Sequence, residues 1–172
     1  MSLATQITFT QELQLIADWL TLWATPKGGT VKVMAGMGHL WEEVWNMTLV
    51  NDPRVLVVGA GETARGGKNS NTTNRVDRRI VIVILRGHGF VNAVVDTDQG
   101  VEPFLDTIEQ LRDKVRVMLN ISDEEEVPSV VYKGFSMLDS VSAPRPTQIF
   151  LDGARLEFTT GNDIPAISLT PQ

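Results

Sequence analysis

Between residues 8 and 24 the apolar positions Leu13, Ile16, Ala17, Leu20 and Trp23 recur at helical steps, forming one continuous stripe. The spacing predicts a helix over 8–24, with Thr8 or Thr10 as its cap and Pro26 with Gly28-Gly29 ending it. Trp19 and Trp23, four apart, share a side of this helix and read as a core or partner-facing aromatic pair. Residues 30–35 alternate like a short strand, and 39–49, carrying Trp41 and Trp45, predicts a second helix.

The pattern then changes period. Residues 54–58, β-branched and following Asp52-Pro53, read as a buried strand, and 75–85 is the longest strand candidate. Its run Ile80-Val81-Ile82-Val83-Ile84-Leu85 has no polar alternation, which predicts a central strand covered on both faces. Between the two, residues 59–74 are rich in Gly, Asn and Thr and read as a long, flexible polar loop. A third strand over 89–95 would pair with the second through a Gly87-His88-Gly89 turn. The clearest helix spans 101–119, where Phe104, Leu105, Ile108, Leu111, Val115 and Met118 or Leu119 hold one face. Lys114 and Arg116 near its carboxyl end suit the helix dipole. Short strands are expected at 129–132, 147–151 and 155–159, and an extended tail at 164–172. This order of elements predicts a single α+β domain over 1–172, with a mixed, mostly antiparallel sheet packed on helices.

Composition adds exclusions. The chain has 172 residues, 42% hydrophobic and 21% charged, enough for a real apolar core in one domain. It has no cysteine, which removes disulfide frameworks, thiolate zinc sites and cysteine nucleophiles. The apolar runs at 54–60 and 80–85 fall far short of the roughly 20 residues of a membrane helix. No basic segment followed by an apolar core begins the chain, so no secretory signal is expected.

Net charge is −6, which argues against general nucleic-acid binding, because phosphate affinity rests on clustered Lys and Arg. The charge is nevertheless segregated. Arg65, Lys68, Arg75, Arg78 and Arg79 form a basic stretch opposed only by Asp77, while Asp123, Glu124, Glu125 and Glu126 form an acidic run. Two such segments in one chain are candidates for contact between copies of it.

Motifs for chemistry are incomplete. Gly59-Ala60-Gly61 after an apolar strand suggests a dinucleotide turn, but 65–74 cannot supply the helix whose amino end would hold the pyrophosphate. Gly66-Gly67-Lys68-Asn69 fails the phosphate-loop spacing at Glu62 and Asn69. His39 and His88 have no metal-ligand spacing, and no serine lies in a nucleophile elbow. The expectation is a non-enzyme with no catalytic residues, no cofactor and no metal.

Taken together, residues 54–61, 76–87, Gly100-Val101-Glu102-Pro103 leading into 105–119, Tyr132-Lys133-Gly134-Phe135 and Leu156-Glu157-Phe158-Thr159-Thr160 form a recognisable order. The pattern resembles the tail terminator, or tail completion, proteins of long-tailed phages. That resemblance implies a small α/β subunit of a hexameric ring on the end of the tail tube. The ring would stop tube growth and offer a surface to the head connector. Its partners would be identical copies, the tail tube protein and a connector or neck protein, with DNA passing through the lumen without specific binding and no membrane. It would be assembled in the host cytoplasm and reside at the tail-head junction of the virion. The neighbouring expectation is a head completion or neck ring, and a different class is a small nucleotide-binding enzyme built on 59–64.

Overall fold

The structure is a computed structural model and describes residues 8–34, 36, 53–65, 74–88, 103–120, 131–138 and 150–164. Helix α1 spans Phe9–Ala24. Thr8 caps it through a reciprocal box: its hydroxyl accepts from the Gln11 amide at 3.2 Å, and the Gln11 side chain accepts from the Thr8 amide at 2.8 Å. A 3-10 turn at Thr25–Lys27, containing Pro26, closes the helix and leads into strand β1 at Thr30–Met34. The remaining described elements are β2 (Pro53–Arg65), β3 (Asn74–His88), helix α2 (Phe104–Asn120), β4 (Val131–Met137) and β5 (Phe150–Ile164).

The five strands form one sheet in the order β1-β2-β3-β5-β4. The β1–β2 pair is parallel and the other three pairs are antiparallel. This is the expected α+β architecture with a mixed, mostly antiparallel sheet.

Each face of β3 is buried, as its unbroken apolar run predicts. On one face Ile80, Ile82 and Ile84 join Val55 and Val57 of β2 and Ala154, Leu156 and Phe158 of β5. The inward stripes of α1 (Leu13, Ile16, Ala17, Leu20) and α2 (Phe104, Ile108, Leu111, Val115) cover that layer. On the other face Val81, Val83 and Leu85 pack with Met34, Leu56 and Val58. Full burial of each Val, Leu, Ile, Met or Phe among them contributes about 1.5–3 kcal/mol. Trp19 and Trp23 pack partly buried against the helical layer, which favours the core reading of the pair. The Trp19 Nε1–H donates to the Lys114 carbonyl at 3.1 Å and thereby stitches α1 to α2.

Three sequence expectations are corrected. Residues 59–65 and 74 are not loop: they extend β2 and β3 into one long antiparallel ladder running from Pro53↔Arg86 to Arg65↔Arg75. A paired neighbour outweighs the weak strand preference of Gly, Thr and Glu here. Gly87 and His88 do not turn the chain either, since they continue β3 and pair with Leu151 and Phe150. Residues 150–151 and 155–159, expected in two separate strands, belong to a single strand, β5, in which Gly153 pairs with Leu85 and the chain runs straight through. The expected helix at 39–49, the strand at 89–95 and the tail beyond Ile164 lie outside the described residues.

Candidate functional site

The densest polar arrangement among the described residues sits where α1 crosses the sheet. Thr160, Arg78 and Glu62 lie side by side on β5, β3 and β2, because Arg78 is the register partner of both Thr160 and Glu62. Arg78 and Thr160 have the same inward parity as Ile80 and Phe158, so both point at α1.

Glu62 reaches that face only because of a β-bulge. Gly59 pairs with Ile80 and Gly61 with Arg79, leaving Ala60 as the extra residue. Counting alternately from Val55 and Val57 would put Glu62 on the opposite face; the inserted residue reverses the parity. Gly61 sits at φ 135°, a conformation that residues with a Cβ rarely adopt. The Arg79 guanidinium donates to the Ala60 carbonyl at 3.3 Å across the bulge.

From above, α1 contributes Glu12 and Phe9. The Arg78 Nη1 donates to Glu12 Oε2 at 2.8 Å, and its Nε donates to Glu62 Oε2 at 3.1 Å. The Thr160 hydroxyl donates to the other Glu12 oxygen at 2.6 Å. The Phe9 ring lies 5.2 Å from the Arg78 guanidinium carbon, in cation–π range. Glu12, Arg78 and Thr160 are buried, whereas Glu62 stands at the rim. A buried carboxylate and guanidinium each lose hydration, and the pairing restores part of it through charge-assisted hydrogen bonds. The cluster can clamp helix to sheet. It holds no histidine, cysteine or exposed nucleophile.

Two further arginine sites flank the helical layer. Arg86, buried on β3, places its guanidinium carbon 5.0 Å from the Phe104 ring of α2. On α2, Arg112 Nε donates to Asp113 Oδ1 at 2.8 Å, and this hydrogen bond holds the Asp113 carboxyl below the usual carboxylate range. The Tyr132 ring of β4 lies tilted against Phe158 with centroids 5.3 Å apart, and burial raises its phenol pKa, with the nearby Arg112 and Arg116 charges opposing.

The sequence assigned the basic and acidic stretches to a contact between subunits; of those residues the structure describes Arg65, Arg75, Arg78 and Arg79. Arg78 is 6% exposed and committed to Glu12 and Glu62, so it is a core residue of the subunit and not a surface one. Its parity with Ile80, Ile82 and Ile84 is the reason. Arg79 is exposed on the opposite face. Arg65 and Arg75 are register partners at the far end of the β2–β3 ladder. Lys68, Asp123, Glu124, Glu125 and Glu126 lie outside the described residues.

Sequence reading missed Glu12. The signal was present: Glu12, Ile16 and Leu20 are four apart, which puts a carboxylate on the buried stripe. Residues 59–64 lie within β2, and the next described element is strand β3. Among the described residues no group of three or more His, Cys, Asp or Glu side chains converges as a metal site. No described helix is long and apolar enough to cross a membrane. No protein-family model matches the chain, and no curated protein matches it either.

Proposed function

We propose that this chain is the repeating subunit of a ring on the end of a phage tail tube, where it stops tube growth and presents a docking surface to the head connector. In this reading it is a virion protein whose work is recognition and closure, not chemistry. The stretches that carry the resemblance fall in β2, β3, α2, β4 and β5, in the order a tail terminator would have. The observation that carries the reading furthest is the pair of apolar side chains, Phe135 and Met137, left exposed on one face of edge strand β4, where another protein can meet them. The nucleotide-enzyme alternative loses its structural support, because residues 59–64 form a bulged strand and not a phosphate-binding turn.

Light scattering over a range of concentrations, with negative-stain images of the same samples, tests the proposal. A closed ring of roughly six copies is the expected result. A chain that remains monomeric alone and on purified tail tubes, and that binds a nicotinamide or adenine nucleotide saturably, would overturn it.

A further inference from the structure

Among the described residues, apolar side chains stay exposed at both ends of the strand order. Helix α1 packs over β1 and β2, at one end of the sheet, and turns Leu15 and Leu22 outward at 50% and 72% exposure. Asp18 lies between them, so the three residues follow an i, i+3, i+7 stripe on one side of the helix. At the other end β4 exposes Phe135 and Met137 at 42% and 46% on one face, while Val131, at 40%, lies on the other face because the register shifts between Tyr132 and Gly134.

The patches match in charge as well as in character. Asp18 is the single exposed charged side chain of α1, because Glu12 is buried, and Lys133 is the single charged residue of β4. The solvent side of α2, by contrast, mixes Asp106, Glu109 and Asp113 with Arg112, Lys114 and Arg116. Depletion of charge around apolar side chains is what distinguishes the centre of a protein interface from ordinary surface.

We infer that the α1 patch of one subunit docks on the β4 edge of a second copy of this chain, with Asp18 facing Lys133. The two surfaces are different, so the contact is heterologous and each added copy leaves a fresh surface at either end. Such a contact gives a ring if its rotation closes and a filament if it does not. The inference deepens the ring reading and rests on it only for closure.

The test uses two full-length variants, Leu22→Glu and Phe135→Glu, each at an exposed position. Each disables one surface and leaves the other intact. Each variant alone should be monomeric with an unchanged circular-dichroism spectrum, and the mixture should give a discrete dimer, because only one productive pairing remains. The chain has no cysteine. A mixture of Asp18→Cys and Lys133→Cys chains should therefore form a specific disulfide-linked heterodimer under mild oxidation. A wild-type chain that is monomeric at every concentration overturns the inference, as do variants that assemble like wild type or a disulfide that forms only between identical Asp18→Cys chains. Variant behaviour as expected, with wild-type filaments in the images, upholds the contact and defeats the ring. A wild-type ring that neither variant disturbs upholds the ring and defeats the contact.

Discussion

Arg78 donates to two carboxylates from the floor of an apolar layer, so the cost of losing it is set mainly by what it leaves behind. Arg78→Met strands the Glu12 carboxylate in a dry site, and about 3–5 kcal/mol of stability should be lost in urea unfolding. The triple change Glu12→Leu, Arg78→Met and Thr160→Val removes all the buried polar groups together and should recover most of that loss. A triple variant no more stable than Arg78→Met alone would show that the cluster contributes through packing and not through pairing. Tyr132 offers a second residue-level test, because it is the only tyrosine in the chain. Burial raises its phenol pKa above the unfolded value of about 10, so the folded state holds the proton longer than the unfolded chain does. This contribution to stability is therefore complete below about pH 10 and is lost as pH rises through the folded pKa. Tyrosinate absorbance should titrate later in the folded protein than in urea, and coincident curves would remove the burial argument.

At the scale of elements, the bulge in β2 decides which side chains meet. Gly61 holds a positive φ with open space around it, so replacing it tests backbone strain without a steric clash. Gly61→Val should cost about 1–3 kcal/mol in denaturant midpoint and loosen the rim pair between Glu62 and Arg78. A neutral substitution would mean that the bulge can relax elsewhere along the ladder. The bulge also explains where sequence reading succeeded and failed. Leu13, Ile16 and Leu20 on α1, and the unbroken Ile80 to Leu85 run on β3, each carry their own period, and both elements were legible. The course of residues 59–65 was not, because their glycines and hydroxyls become strand only against β3, a partner whose register no local pattern reveals. The same limit made β5 read as two strands, since Gly153 looks like a turn until Leu85 stands opposite it. The buried cluster lay between these cases: Glu12, Arg78 and Thr160 each occupy an inward position by simple counting, but their meeting depends on tertiary placement.

For the whole molecule, the question is which forces hold one copy to the next. Apolar contacts between α1 and β4 are insensitive to screening, whereas a contact between the basic stretch around Arg79 and the acidic run at Asp123 to Glu126 would be weakened strongly. At 1 M salt the Debye length shrinks to about 3 Å. An assembly built on α1 and β4 should keep its mass by light scattering when salt is raised to about that level. Dissociation would instead assign the main contact to the charged segments.

The join between Glu12 and Thr160 links residues 148 positions apart. The sheet itself places β5 between β3 and β4, so the strand that completes its centre comes after all the other described strands in the chain. On the ribosome, β2 and β3 can pair early, but the far edge of β3, with its Ile and Val run, has no mate until Phe150 and the residues after it have emerged. For that interval the nascent chain carries an open, strongly apolar strand edge, which is the condition under which other chains add on and aggregate. A slow or truncated synthesis that halts before β5 should yield insoluble product, however stable the finished subunit is.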